Sequence, residues 1–442
     1  MLLLGNGRVI TQDKDIPYIE KGCIAIQDNL IKEVGKIEEI KKKYPQGEFL
    51  DVKGKIIMPG MVNTHHHIYS AFARGMNLTG KAPQNFIDIL EGLWWKIDKK
   101  LSLEDVKYSA YTTYIDCIKN GTTTVFDHHA SPGAVRESLF TIGDAAKELG
   151  IRSCLCYEVS DRDGQNIMQD GIKENIEFMK YANSSKDNLL KGMFGLHASF
   201  TLSDKTLNQC VEAIDTLDGG FHIHTAEGIE DVYDCLDKYD KGVVQRLMDF
   251  SILGEKTIAV HCIHVNNLEI DILKETKTNV IHNPESNMGN AVGCAPVIEM
   301  MNRGVLLGLG TDGYTSDVFE SMKVGNIIHK HHLGNPNVGF TEIPKMLFQN
   351  NSKIAAKYFK HPVGVLKAGA YADIIVADYD PLTPMNKDNY NSHILFGLSG
   401  KSVETTIVNG KIVMKDRKLQ GVDEEKIYEK SRQLASKLWM RI

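Results

Sequence analysis

"KIIMPGMVNTHHH", residues 55–67, is an apolar run that stops on three histidines. The fold is decided by how often this plan returns. "GTTTVFDHH" (121–129), "RSCLCYEV" (152–159), "KGMFGLHAS" (191–199) and "GGFHIHTAE" (219–227) repeat it. So do "KTIAVHCIH" (256–264), "TNVIHNP" (278–284) and "GVLLGLGTDG" (304–313). Helical stretches such as "LSLEDVKYSAYTTYIDCIKN" (101–120) and "PGAVRESLFTIGDAAKELG" (132–150) lie between the runs. Eight short strands alternating with helices predict an α/β protein built on a (β/α)8, TIM-like barrel. A doubly wound open sheet would call for a Gly-rich phosphate loop after its first strand, and none is present.

Outside this section the pattern changes. "LLLGNGRVI", "GCIAIQDNLIKEVG" and "EFLDVKGKIIMPG" near the start are strand runs separated by Gly, Asp and Asn. "AGAYADIIVADYD" and "VETTIVNGKIVMKDRKL" near the end are similar, the second with an Asn409–Gly410 hairpin turn. Residues 1–57 and 362–442 are therefore expected to form one small β-sandwich from both termini, and 58–361 the barrel. "DEEKIYEKSRQLASKLWMRI" closes the chain as an amphipathic helix, assigned to the sandwich domain.

The composition narrows the partners. A net charge of −6 over 442 residues gives no electrostatic reason to expect nucleic acid or anionic lipid. No stretch reaches the roughly 18 apolar residues that a membrane span needs. "MLLLGNGRVITQDKD" has no basic segment and no small-residue cleavage site, and reads as a strand rather than a signal peptide. Eight scattered cysteines without a C-x-x-C pair suit reduced thiols, so a cytoplasmic location is expected.

In a barrel the active site lies at the C-terminal ends of the strands. His65 and His67 are two apart, so on an extended strand both face one side and His66 the other. His66 is a packing residue on this reading. His224 ends the fifth run, with His222 in phase below it as a core or supporting histidine. Asp312 ends an apolar strand, where an unpaired charge is expensive to bury. A metal ion supplies the missing partner. His65, His67, His224 and Asp312 make a ligand set for one divalent cation, zinc first, with iron or manganese also suited to His₃Asp. Such an ion lowers the pKa of its water to about 7. Glu227, three residues beyond His224, is the candidate proton shuttle. His261, ending the sixth run, is the candidate that steers the water, and His264 is out of phase.

Other residues stay open. His128 and His129 are candidate pocket residues, with loop packing as the equal alternative. "LWW" (93–95) is a further candidate for the pocket lining, but Trp94 and Trp95 lie in a helical stretch, where core packing is favoured. "HKHHLGN" (329–335) is expected on a solvated or interface face.

These motifs together resemble the amidohydrolase superfamily, in its metal-dependent deaminase and chlorohydrolase branch. "PGMVNTHHH" is similar to that family's P-G-[LFM]-V-[ND]-x-H-x-H, "HIHTAE" to its H-x-H-x-x-E and "HCIH" to its sixth-strand histidine. "HNPESN" resembles its seventh-strand loop, "GLGTDG" its metal aspartate, and "LKAGAYADIIVAD" the sheet strand after the barrel. "DGYTSDVFESMK", "LWWKID" and "DHHASP" resemble most the SsnA group of aminohydrolases, associated with selenium and purine metabolism. The resemblance covers the whole chain. It implies metal ligands at His65, His67, His224 and Asp312, with proton transfer by Glu227 and His261 assisting; in the hydrolytic mechanism Asp312 would also accept the water's proton. "GLHASF" resembles a segment whose histidine touches substrate, which makes His197 a candidate, although Ser199 replaces the usual proline. Asn283 in the seventh-strand loop is a further candidate contact. Two-metal relatives commonly carry a bridging lysine at the fourth strand end. Here that place holds His197, and Lys191 lies at the start of the run, which implies one metal. The implied reaction is hydrolytic deamination of a purine-like heterocycle, with cyclic-amide or chloride hydrolysis as the alternative. The partners are then a small heterocyclic substrate and a second copy in a homodimer.

Overall fold

The computed structural model describes residues 1–77, 80 and 82–442. Eight parallel strands form the barrel: β1 (Met61–His66), β2 (Thr122–His129), β3 (Arg152–Tyr157), β4 (Phe194–Ala198), β5 (Phe221–Thr225), β6 (Ile258–His261), β7 (Asn279–His282) and β8 (Leu306–Leu309). They form two arcs, β1–β3 and β4–β8, each parallel throughout. Backbone hydrogen bonds close both seams. His197 N donates to Val159 O at 2.9 Å, and Thr311 N and Asp312 N both donate to His65 O at 3.1 Å. Asn351 fastens the second seam from below, donating to Val62 O and Leu309 O at 2.7 Å and accepting from Leu309 N.

Alternation along each strand sorts side chains to the barrel interior or to the helix layer. Val62, Phe126, Cys154, Cys156, Val260 and Ile281 fill the interior floor, which Phe359 and Tyr371 plug from beneath. The polar strand ends sit above this dry floor. Local signals match the surrounding helices. Leu103–Lys119 opens on a Ser102/Asp105 capping box, and Ser138–Leu149 stops at Gly150 in the left-handed conformation.

The two termini share one nine-stranded sheet. Ile374–Ala377 lies antiparallel to both Ile56–Pro59 and Val403–Val408, joining the N-terminal strands to the C-terminal ones. The hairpin at Asn409–Gly410 has both residues at positive φ, 52° and 75°. A Cβ on Gly410 would lie 1.9 Å from Asp28 O, so glycine is required there. The strand Ile56–Pro59 spans the expected boundary at 57/58, and the first barrel strand begins at Met61, after Gly60.

The last helix, Glu424–Trp439, was expected with the sheet but packs on the barrel helix Leu103–Lys119. Trp439 Nε1 donates to Phe72 O at 2.7 Å, and Arg441 pairs with Asp105 at 2.5 Å. Its apolar stripe supplies Leu434 and Leu438 to the main core, which accounts for the change of partner.

Sheet and barrel are tied by a buried ion pair. Arg152 Nε and Nη2 reach the two Asp373 carboxylate oxygens at 2.9 and 3.2 Å, with both side chains fully buried. Asn409 N donates to the same carboxylate at 2.7 Å. Arg152→Leu leaves Asp373 buried and unpaired, and is expected to cost about 3–5 kcal/mol. A fall in the urea midpoint at unchanged slope checks this.

All eight cysteines are free. Among the described residues no helix is long and apolar enough to cross a membrane.

Candidate metal-dependent active site

The strand-end side chains meet at the barrel mouth. His67 Nε2 lies 3.2 Å from His224 Nε2 and 3.1 Å from Asp312 Oδ1, and His65 Nε2 lies 3.7 Å from the same oxygen. Four donors around an ion with ligand bonds of ~2.0 Å are separated by ~3.3 Å along the edges of a tetrahedron. The observed spacings bracket that value.

Supporting contacts settle which ring nitrogens face the common point. His67 Nδ1 donates to His128 O at 2.6 Å, leaving Nε2 bare. His65 Nδ1 lies 2.9 Å from His222 Nε2, so its Nε2 is the nitrogen turned toward the common point, buried and without a hydrogen-bond partner. His67 Nε2 and His224 Nε2, 3.2 Å apart beside a buried carboxylate, are spaced as two ligand atoms on one cation would be. The donor set therefore fits a divalent ion of the zinc type.

Asp312 is fixed by two donors, Ser286 Oγ and Gly313 N, both at 2.7 Å. Burial works against its charge, but His67 and His65 hold its carboxyl well below the usual range. His261 donates from Nδ1 to Asn287 Oδ1 at 2.8 Å. Its Nε2 then faces the site, 3.4 Å from Glu227 Oε2 and 3.6 Å from Asp312 Oδ2. Burial, and then the Asp312 charge, push Glu227 well above the ordinary carboxyl range. His261 and Asp312 both take left-handed backbone, φ 71° and 57°, a strain of about 1–3 kcal/mol each that clusters at functional sites.

A cavity of about 260 Å³ opens over these groups. His67, His224, Glu227, Asp312 and His197 all line it. Its other wall is aromatic. Trp94 and Trp95 pack partly buried against the main core and also line the cavity, and Trp95 packs edge-on against His197 at 6.1 Å. The helix that carries them lies across the barrel mouth, so the face that looks apolar in sequence is turned toward the site. Asp98 also lines the cavity and is ion-paired with Arg162, and burial pushes its carboxyl up to about 6.

Three expected substrate contacts do not reach the cavity. His128 lies one layer deeper in the interior, stacked on His222 at 4.6 Å, because it is in phase with Phe126 of the floor. His129 faces the opposite way and bonds Ser131 Oγ at 2.9 Å. Asn283 is buried behind Gly310, where a Cβ would meet its Oδ1 at 2.4 Å. Pro284 starts a helix immediately after Asn283, and it is Ser286 and Asn287 on that helix that turn inward. His66 is buried against the helix layer, 3.5 Å from Ser316 Oγ. His329, expected on a solvated face, is buried and bonds His282 at 3.0 Å, whereas His331 and His332 are exposed.

The third run also contributes. Glu158, one residue past β3, lines the cavity with its side chain 2% exposed. Its Oε1 lies 3.3 Å from His67 Nδ1 and 3.4 Å from His128 Nδ1, and burial lifts its carboxyl to about 7. The strand-end rule that singled out the other runs applies to "RSCLCYEV" too, but no histidine there draws attention to it.

The amidohydrolase family model matches residues 56–413. A 5'-deoxyadenosine deaminase of Methanosarcina mazei is 32% identical, over 100% of this chain and 99% of that protein. A 5-methylthioadenosine/S-adenosylhomocysteine deaminase of Thermococcus sibiricus is 32% identical, over 93% and 94%. Among solved structures, an adenosine deaminase from Xanthomonas campestris with bound zinc superposes with a TM-score of 0.88 at 20% identity, over 99% and 98%. Atrazine chlorohydrolase from Arthrobacter aurescens, with zinc, gives 0.84 at 20% identity, over 98% and 100%. These two likenesses concern the fold. With a family model spanning most of the sequence and relatives matched over its full length, the chain belongs to the amidohydrolase family.

Proposed function

We propose that this chain is a metal-dependent hydrolase that deaminates a purine-like nitrogen heterocycle, with one zinc ion held by His65, His67, His224 and Asp312. One observation carries the reading: Glu227 and His261 stand beside the point where those four side chains converge. The full-length deaminase relatives support the choice of substrate class.

When bound, the cation supplies a Lewis acid that brings the pKa of water down to about 7. Asp312, held ionised between Ser286 and Gly313, accepts a proton from the attacking water. Glu227, whose burial favours the protonated carboxyl, gives its proton to the ring nitrogen next to the reacting carbon. Asp312 passes the water's proton on to the amine, which leaves as ammonia, and Glu227 recovers a proton from the hydroxyl as the carbonyl forms. His261, oriented by Asn287, steers the water and steadies the tetrahedral carbon. The aromatic wall at Trp94 and Trp95 covers the flat face of the heterocycle and excludes bulk water.

A cytoplasmic location, a homodimer and a link to purine and selenium metabolism belong to the same proposal. They rest on the free cysteines and on the resemblance of "DGYTSDVFESMK" and "DHHASP". The test is elemental analysis of protein purified without added metal, followed by an ammonia-release screen of purines and pterins. About one zinc per chain and ammonia release are expected. A ring-opened acid or released chloride as the product overturns the deaminase reading, and inertness across the panel overturns the enzymatic one.

A further inference from the structure

A buried acid outside the metal cluster holds the segment that carries Glu227. Asp231 lies in the first turn of the helix Ile229–Tyr239 and is 3% exposed. An acid at this position commonly caps its own helix, bonding the backbone N–H three residues before it. Asp231 reaches past that position. Its Oδ2 accepts from Ala226 N and its Oδ1 from Phe200 N, both at 3.0 Å. One carboxyl group thus ties the turn after β5 to the turn after β4. The turn after β5 is the demanding one. Ala226 sits at φ 46°, a left-handed conformation that alanine rarely adopts. The peptides on either side of it are pinned to the β6 loop: Thr225 O accepts from Cys262 N at 3.0 Å, and Ala226 O from Ile263 N and His264 N at 3.1 and 3.0 Å. Asp231 supplies the remaining contact, at an N–H buried with the rest of Ala226. Glu227 is the next residue, and its Oε2 meets His261 Nε2 at 3.4 Å. The turn after β4 has other anchors. Arg246, itself buried, donates to Ser199 O and Oγ at 2.8 Å and to Leu202 O at 2.7 Å. Loss of the Asp231 carboxyl therefore falls mainly on Ala226, whose N–H is left buried without a partner. Such a group is costly, and the turn regains a partner only by rotating, which carries Glu227 with it.

We infer that Asp231 is a positioning residue for proton transfer: it holds the left-handed turn at Ala226 that aims Glu227 at the reacting centre. The inference rests on the shuttle role of Glu227 in the deaminase reading. Asp231 borders the cavity, but its two oxygens serve the two turns, so it acts through Glu227 rather than on the substrate. Misplacing a catalytic group by about 1 Å can cost about a hundredfold in rate. The loss through misaiming is bounded by that of Glu227→Gln, which removes the acid altogether.

A double-mutant cycle on the substrate found by the ammonia-release screen tests this, with zinc content and thermal unfolding measured on the same zinc-loaded samples. In the wild-type background Asp231→Ala is expected to lower kcat by about tenfold to a hundredfold, with KM and zinc content little changed. In the Glu227→Gln background the same substitution should cost less than about twofold, because the group it misaims is already gone. The fall in melting temperature, by contrast, should be the same in both backgrounds. Asp231→Asn fills the same volume and keeps one acceptor oxygen, and it takes the place of Asp231→Ala in the cycle if that variant does not fold. Equal losses of kcat in the two backgrounds mean a merely structural role and overturn the inference. A rise in KM in both backgrounds makes Asp231 a substrate contact, and loss of zinc makes it a support of the metal cluster; either overturns the inference as well. So does wild-type kcat in the Asp231 variant, or an active Glu227→Gln enzyme, which would leave Asp231 no acid to aim. All these outcomes occur with ammonia release intact in the wild type and leave the deaminase reading standing. A wild-type protein that releases no ammonia across the screen sinks that reading and this inference with it.

Discussion

Glu227→Gln keeps its zinc and loses about a hundredfold or more in kcat, the usual scale for removing a general acid–base group. The expectation follows from position and environment together. Glu227 lies beyond the end of β5, and its Oε2 reaches His261 Nε2 at 3.4 Å, so it stands over the reacting centre rather than in the ligand cluster. Burial and the neighbouring Asp312 charge favour its protonated form, which suits a group that must first donate. Glutamine fills nearly the same volume and makes similar hydrogen bonds but cannot pass a proton. The loss should therefore fall on kcat, with KM and metal content little changed. Single-turnover kinetics and elemental analysis on the same sample separate these quantities. An active Glu227→Gln enzyme refutes the shuttle role, and a zinc-free one makes Glu227 a ligand instead.

The strand-end rule made much of this site legible in the sequence. His65, His224 and His261 fall in the last two residues of a barrel strand, His67 one residue and Asp312 three residues beyond one, so a short apolar run places them at the mouth without knowledge of distant contacts. Parity separated His65 and His67 from His66 for the same local reason. The same parity puts His128 in the interior, but it also places it one layer too deep, and only the height of β2 in the barrel reveals that. What stayed hidden depends on longer-range geometry. Trp94 and Trp95 pack on the core and line the cavity at once, and only the course of their helix across the mouth decides the second role. Ser286 and Asn287 act because Pro284 starts a helix whose rotation turns them inward and leaves Asn283 behind. His329 is buried because His282 waits for it 47 residues upstream. The C-terminal helix shows its apolar stripe in the sequence but not which partner it will cover.

Stripping the cation should abolish turnover and lower thermal stability together, and zinc should restore both at about one ion per chain. Activity is expected to fall by roughly a thousandfold or more, since Lewis-acid assistance is worth several kcal/mol of the barrier. The coupling to stability comes from the same atoms. His65 Nε2 is buried with no partner, and His67 Nε2 and His224 Nε2 face each other at 3.2 Å beside a buried carboxylate. An ion that binds this preformed cluster but not the unfolded chain stabilises the fold by about 4 kcal/mol when it is a thousandfold above its dissociation constant. Magnesium, which prefers an all-oxygen octahedron, should rescue neither property. Because catalysis and stability are read on one titration with zinc, their midpoints must coincide. Full activity after exhaustive chelation, or restoration of stability without restoration of turnover, would separate the cluster from the chemistry. Holding the four ligands to a single ion would then no longer explain why the barrel gathers three imidazoles and an acid at one point.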